Sequence, residues 1–131
     1  MIKRLADNPR LVFLYDGLGA LLSATLYGVV LVYFESYIGM SPILLYILAA
    51  IACIYACYSF ACFFVNPKNW RKAVKVIANA NITHCIIVGG FVYDSFEDLT
   101  NLGLAYFIVD VLVIFCIAII ELKVANFEAE V

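Results

Sequence analysis

Long apolar runs separated by short polar stretches dominate the chain. The runs cover residues 11–34, 42–65, 76–93 and 102–122, and we call them the first to fourth spans. Each is close to the ~20 residues that a helix needs to cross the ~30 Å hydrocarbon core of a bilayer. The pattern therefore predicts an all-α fold, an integral membrane four-helix bundle in which residues 1–131 form a single four-span transmembrane domain.

The basic residues fall on one side of this predicted bundle. They precede the first span, separate the second from the third, and follow the fourth: Lys3, Arg4, Arg10, Lys68, Arg71, Lys72, Lys75 and Lys123. The two other connections, ESYIGMS and DSFEDLTN, contain no lysine or arginine. Because cytoplasmic loops are rich in lysine and arginine, the distribution predicts that both termini are cytoplasmic.

Small residues recur at four-residue spacing along the first two spans. They are Ala20, Ala24 and Gly28 in the first span and Ala49, Cys53, Cys57 and Ala61 in the second. Small residues at this spacing let helix backbones approach closely in lipid. We therefore expect the first two spans to pack as an antiparallel pair, although either stripe is also suited to face another subunit of a homo-oligomer or a membrane-protein partner.

Composition narrows the classes of function. Hydrophobic residues make up 66% of the chain and charged residues 14%, so almost no sequence is left for a soluble domain. We therefore expect membrane lipids, and not nucleic acid, as partners. The five cysteines lie within the spans, and Cys53 and Cys57 are one residue too far apart for a C-x-x-C redox pair. With a single histidine and no cluster of metal-ligand residues, we expect neither a metal site nor a cofactor.

Two titratable side chains lie deep in the predicted membrane interior. Asp110 is about 12 Å below the outer edge of the fourth span, and His84 is about 13 Å below that of the third. Since the short connection makes these spans an antiparallel hairpin, the two side chains are expected to meet across it. Asn81, one turn further toward the cytoplasm on the same helix face, and Cys85 are expected to flank the same spot.

Two interpretations of this spot remain open. A structural clamp between helices is one, and such interhelical hydrogen bonds are worth only about 1 kcal/mol. A proton-linked or ligand-binding site is the other, because histidine and aspartate can exchange protons. The hydroxyl groups of Tyr27, Tyr55, Tyr58 and Tyr106 either line the same cavity or belong to packing and interfacial aromatic residues.

Asp16 and Glu121 lie near the cytoplasmic ends of the first and fourth spans. Asp16 is about 7 Å from the cytoplasmic edge, and Glu121 is in the last turn of its apolar run. Both carboxyl groups are therefore expected to contact water or to pair with a basic side chain, namely Lys75, Arg71 or Lys123. Asp16 is the second candidate for a ligand- or proton-binding residue after His84, Asp110 and Asn81.

Four sequence segments suggest a family resemblance. DGLGA (16–20), ANITHC (80–85), LTNLGLAYFIVD (99–110) and IELKVA (120–125) make the chain similar to uncharacterised small four-span proteins of Bacteroidetes-type bacteria. The resemblance implies a multi-pass protein of the bacterial inner (cytoplasmic) membrane. It implies no activity.

The sequence leaves two main classes of function. The leading hypothesis is the binding or transport of a small solute, ion or lipid through a polar intramembrane site. The alternative is a non-catalytic membrane scaffold or accessory subunit that docks partner helices. An enzyme is less favoured, because the sequence contains no nucleophile–base pair, metal cluster or phosphate-binding loop. The one enzymatic possibility is a His84/Asp110 acid–base site that acts on a lipid.

Overall fold

The computed structural model of the protein describes residues 2–127, which are helical apart from short turns and contain no strand. Four helices are long and apolar enough to cross a membrane: Arg10–Tyr33, Pro42–Val65, Trp70–Asp94 and Asn101–Ala125. Two short helices, Ile2–Asp7 and Glu35–Ile38, precede and follow the first of them. The protein is thus an all-helical, multi-pass membrane protein, as the apolar pattern predicts.

The helices extend beyond the apolar runs at two places. The third span begins at Trp70 rather than at residue 76, and the fourth ends at Ala125 rather than at residue 122. Hydropathy marks only the part of a helix that lies in hydrocarbon, whereas the hydrogen-bonded backbone continues through charged residues at the membrane surface. This extension places Glu121 a full turn inside the fourth helix.

The bundle consists of two antiparallel hairpins. The first span packs along the second, and the third packs along the fourth, whereas contacts between the hairpins are much sparser. Ala24 in the first span and Ala52 and Ala56 in the second are buried, and a Cβ atom at Gly28 would lie 3.1 Å from the Cβ of Ala49. Small side chains thus bring the first two helices close together.

The other small residues of the second span lie on a different face. Cys53, Cys57 and Ala61 are exposed on the outside of the bundle, and Ala20 of the first span is partly buried. Sequence spacing identifies a stripe of small residues but does not tell which neighbour it faces. Here the face that packs on the first span is the adjacent stripe through Leu48, Ala52 and Ala56.

At the end of the bundle that carries residues 34–41 and 95–100, hereafter the loop end, the two connections are joined by hydrogen bonds. The Thr100 hydroxyl donates to the Tyr37 carbonyl over 2.5 Å, and the Thr100 N–H donates to the Ile38 carbonyl over 3.0 Å. Thr100 also caps the fourth span by accepting from the Gly103 N–H.

Gly39 has a positive φ of 90° and lies against the backbone of Asp98, so the turn requires glycine.

At the opposite end, which carries both chain termini and is called the terminal end, arginines join the helices. Arg10 donates to the Phe63 carbonyl over 3.0 Å, with its guanidinium 4.6 Å from the centre of the Phe63 ring. Arg71 donates to the carbonyls of Ala125 and Phe127 over 2.9 and 2.5 Å. Each arginine thus joins the two helices of one hairpin at the end opposite the loop that connects them.

The buried side chains form two apolar clusters with polar groups between them. One cluster, near the loop end, contains Leu45, Leu48, Val88 and Phe107 among others. The second, near the terminal end, contains Val12, Phe13, Val74, Ile77 and Val124. Polar residues that lie between these clusters along their helices, including Asp16, Asn81 and Asp110, are therefore held in the middle of the bundle.

Replacing Gly103 with alanine should destabilise the protein. A Cβ atom there would lie 2.2 Å from the carbonyl oxygen of Ile38, and backbone must move to admit it. We expect a loss of about 1–3 kcal/mol, measured as a lower midpoint of thermal unfolding in detergent. Gly89→Ala is the matched control, because a Cβ atom at Gly89 meets nothing within 4 Å. Equal stability of the two variants would contradict the close packing of Gly103 on the Ile38 carbonyl.

Candidate intramembrane binding site

Seven polar side chains from all four spans form two groups inside the bundle. The tyrosine cluster consists of Tyr27, His84 and Asp110. The carboxyl cluster, one turn or more nearer the terminal end, consists of Asp16, Ser59, Asn81 and Glu121. In a span, no water is available to solvate such groups, so their partners must come from the protein or from a ligand.

In the tyrosine cluster, Tyr27 bridges the two residues that the sequence places at one depth. The Tyr27 hydroxyl donates to Asp110 Oδ2 and lies 3.0 Å from His84 Nε2. A hydroxyl that donates to the carboxylate accepts from the histidine, which assigns the proton of the neutral ring to Nε2. His84 and Asp110 therefore share a site through Tyr27 rather than through a direct bond.

The backbone of the first span is irregular where Tyr27 lies. Residues Leu26–Val30 form a π-helical turn, in which the Leu31 N–H donates to the Leu26 carbonyl, five residues earlier. Single π turns interrupt the regular helical register and occur often at functional sites. Tyr27 within this turn is fully buried against the third and fourth spans.

His84 has aromatic neighbours on two sides. The Tyr27 ring centre is 5.7 Å from that of the imidazole, and the Tyr55 ring packs edge-on at 5.9 Å. The histidine is only 3% exposed, and its Nδ1 atom is buried without a hydrogen-bond partner among residues 2–127. Next to it, Cys85 donates from Sγ to the Val111 carbonyl over 3.7 Å, which joins the third and fourth spans.

In the carboxyl cluster, each of the four spans contributes one side chain. The Ser59 hydroxyl donates to Asp16 Oδ2 over 2.5 Å. The amide nitrogen of Asn81 donates to Asp16 Oδ1 over 3.0 Å and to Glu121 Oε1 over 2.8 Å. One amide group thus connects a carboxyl group of the first span with a carboxyl group of the fourth.

The structure corrects the expected surroundings of Asn81. We expected it to flank the His84/Asp110 spot, but its hydrogen bonds are to Asp16 and Glu121. Asn81 and His84 share a helix face, yet one helical turn separates their levels by about 5 Å. At the lower level, the nearest polar groups are the two carboxyl groups and not Asp110.

The expected environment of Glu121 is also wrong. Its carboxyl group was expected to reach water or a basic side chain, whereas Glu121 is 3% exposed and accepts from Asn81. Asp16 is partly buried, and it too accepts from Asn81. Arg71, one of the expected partners, donates instead to backbone carbonyls at the end of the fourth helix. Burial among the neighbouring helices, and not depth in the membrane, keeps the Glu121 carboxyl group from water.

Both clusters border one cavity of about 500 Å³. Asp16, Asn81 and Glu121 line it at one level, and His84 and Asp110 line it at the other. Most of the remaining wall is apolar and comes from the first and fourth spans, which face each other across the cavity. The cavity has the size and the mixed lining of a small-molecule site.

The rim of this cavity faces the surrounding lipid. Leu22 of the first span and Val109 and Val113 of the fourth line the cavity and are each more than half exposed. A molecule dissolved in the membrane can therefore reach the cavity from the side, between these two helices.

A smaller cavity of about 190 Å³ lies on the other side of the carboxyl cluster. Its walls come mainly from the second and third spans, and Asp16, Tyr55 and Asn81 line both cavities. The hydrogen bond between Asp16 and Asn81 therefore forms part of the partition between the two spaces.

Thr83 of the third span has a local role. Its hydroxyl donates to the carbonyl of Asn79, one turn earlier in its own helix, over 2.9 Å. The sequence did not indicate Ser59 as a site residue, and it indicated Tyr27 only as one of four candidate hydroxyl groups. Tyr27 differs from the other span tyrosines in being fully buried, and no pattern in the sequence marks that difference.

No known protein family, curated protein or solved structure matches the chain. The resemblance to small four-span bacterial proteins stays a prediction.

Removing the Tyr27 hydroxyl tests the bridge. Tyr27→Phe leaves His84 and Asp110 without their shared partner, so the free energy of unfolding should fall by about 1–2 kcal/mol. Tyr46→Phe is the control, since Tyr46 is 54% exposed on the second span. Thermal unfolding in detergent measures both variants. If Tyr27→Phe is as stable as the control, the bridge is not a stabilising contact.

Proposed function

We propose that the protein binds or transports a small solute, ion or lipid through the cavity between the first and fourth spans. The observation that carries the proposal is the convergence of polar groups from all four spans on one largely apolar cavity of about 500 Å³. Known ligand sites combine apolar walls with a few convergent polar groups in cavities of about 300–1,000 Å³.

In this proposal, the terminal end of the bundle faces the cytoplasm of a bacterium and the protein lies in its inner membrane. The one-sided distribution of lysine and arginine supports the orientation. The carboxyl cluster then lies nearer the cytoplasm, and the tyrosine cluster lies nearer the outer surface.

Proton linkage is part of the proposal. The cavity lining contains the titratable groups of Asp16, Glu121, His84 and Asp110, which are grouped at two levels along the membrane normal. Ionisable residues inside a membrane bundle are costly and commonly mark ion or proton pathways. A ligand that changes the charge of either level would be coupled to the uptake or release of protons.

Filling the cavity should abolish binding without unfolding the protein. Gly19 lines the cavity, and a Cβ atom there meets nothing within 4 Å, so Gly19→Phe can project its ring into the open space. We expect thermal stabilisation of the wild type by at least one member of a panel of alkylammonium ions, alkyl alcohols, fatty acids, phospholipids and alkali cations. Gly19→Phe should lose that stabilisation.

Gly89→Phe is the matched control for the cavity-filling variant. It places the same side chain in a helix at a position that has equally open surroundings but does not line the cavity. Ligand-dependent stabilisation should persist in this control. The proposal is contradicted if no compound of the panel stabilises the wild type, or if Gly19→Phe responds like Gly89→Phe.

A scaffold or accessory subunit is the second candidate, and one observation favours it. The small side chains of Cys53, Cys57 and Ala61 lie on the outer face of the second span, where they could admit the close approach of another membrane helix. Cys57→Leu would then release a partner protein, or a second copy of the chain, that purifies with the wild type in fixed ratio.

A further inference from the structure

We propose that the cavity binds a primary or secondary organic ammonium ion, whose N–H groups bind the Asp16/Glu121 carboxyl pair in exchange for one proton. The inference rests on the proposed function and names its ligand class. It differs from the sequence-based expectation in placing the ligand's polar group at the carboxyl cluster rather than at His84 and Asp110.

The charge of the cavity lining favours a cation. Three carboxyl groups line the cavity, those of Asp16, Asp110 and Glu121. No lysine or arginine is among its lining residues, and His84 is its one basic side chain within the described part of the chain. An acidic cavity with apolar walls attracts positive charge and repels anions.

The hydrogen-bond pattern of the carboxyl cluster leaves one acceptor free. Both oxygens of Asp16 and Oε1 of Glu121 accept from Ser59 or Asn81. Oε2 of Glu121 has no hydrogen-bond partner among residues 2–127, although the residue is only 3% exposed. A buried carboxyl oxygen without a donor is costly, so the cluster is suited to a ligand that brings an N–H group.

The orientation of Asn81 argues for an ammonium ion rather than an inorganic cation. Its NH₂ group, not its carbonyl oxygen, points at the two carboxyl groups. Inorganic cations such as Ca²⁺ require several oxygen ligands around them, and the amide protons occupy the space between the two acids. An ammonium ion needs only acceptors for its N–H bonds, and the buried, unpaired Oε2 of Glu121 supplies one once the pair has released its proton.

The apolar walls indicate what the nitrogen carries. From the carboxyl cluster, the cavity continues past Ser23 and Leu26 toward Tyr106. Exposed apolar residues of the fourth span, Val113 and Ile117, form one side of this path. An alkyl or aryl group of the amine would lie along these walls and would reach them directly from the lipid.

Charge balance requires the exchange of one proton. The two carboxyl groups bind the same amide nitrogen, and two negative charges so close in an apolar interior need compensation. Without a ligand, one carboxyl group carries a proton, so the pair has a charge of −1. When R–NH₃⁺ binds, that proton leaves to water and both groups become carboxylates, so the occupied site again has a charge of −1.

The other titratable groups around the pair come from all four spans. They are Tyr15, Tyr55 and Tyr58, His84, and Tyr106 and Asp110. Tyrosine hydroxyls are neutral near pH 7. His84 and Asp110 are therefore the two groups whose own titration must be separated from that of the pair, and both belong to the tyrosine cluster.

The test uses the full-length protein in detergent and three probes of similar shape. Isothermal titration calorimetry compares hexylammonium, the neutral hexanol, and hexyltrimethylammonium, which is charged but has no N–H group. We expect hexylammonium to bind at least about tenfold more tightly than either of the others. Comparable affinity for hexanol or for hexyltrimethylammonium overturns the inference.

Two isosteric variants locate the binding group. Glu121→Gln and Asp16→Asn should each weaken hexylammonium binding by about ten- to hundredfold, because a charge-assisted hydrogen bond is lost. Asp94→Asn, in an exposed position beyond the cavity, should bind like the wild type. Unchanged affinity in both site variants would overturn the placement of the ligand at this pair.

Proton release tests the exchange in the wild type, whether or not the variants fold. In a weakly buffered solution at pH 7 with an indicator dye, binding of hexylammonium should release about one proton per site, as the charge balance above requires. His84→Ala and Asp110→Asn should preserve this release if the pair is its source. Binding without proton release contradicts the exchange.

The source of the ammonium group is decided by competition. In lipid nanodiscs, phosphatidylethanolamine offers a primary ammonium and phosphatidylcholine a quaternary one. Weaker hexylammonium binding in phosphatidylethanolamine than in phosphatidylcholine identifies a lipid headgroup as an occupant, and equal binding identifies a free amine.

If another class of compound binds and Gly19→Phe abolishes that binding, the proposed function stands while the ammonium inference fails.

Discussion

The need to satisfy buried polar groups without water governs this bundle. Asn81 meets that need for two other helices at once, because its amide donates to Asp16 of the first span and to Glu121 of the fourth. Within each hairpin, close backbone packing holds the helices together, but between the hairpins such packing is sparse. Hydrogen bonds from a few side chains therefore add to the apolar clusters and the loop contacts in positioning the hairpins. Loss of one partner would leave another polar group without a hydrogen bond in an apolar interior.

The same arrangement creates the cavity. Asn81 and His84 reach from the third span toward the first, while the first and fourth spans remain apart on the lipid-facing side. Apolar clusters close the bundle toward both ends, so the space that remains is bounded by polar groups at two levels and by aliphatic walls. Carboxyl and imidazole groups that hold the helices together also line the cavity, so a ligand in the cavity can alter the contacts between helices. This links the packing to the proposed function.

The sequence predicts the number of helices and the depth of the deeply buried polar residues, because hydropathy and helical rise are local quantities. Counting along the helices places His84 and Asp110 at one level, and the structure brings both to Tyr27. The partners depend on helix rotation and on neighbours, which no local pattern reports. Ser59 and the Asn81 bridge therefore escaped prediction, and Tyr27 was given only as one of four candidate hydroxyl groups. The exposed face of Cys53 and Cys57 could not be assigned from spacing alone.

Infrared difference spectroscopy of the purified protein, recorded with and without hexylammonium, would detect the proton shared by the carboxyl pair. We expect a protonated carboxyl C=O band in the free protein that disappears on binding as carboxylate bands grow. The same band should be absent from Glu121→Gln, because Oε2 of Glu121 is the one oxygen of the pair that accepts no hydrogen bond among residues 2–127. A free protein without such a band, or a band that the ammonium ion leaves unchanged, would contradict the shared proton and its exchange.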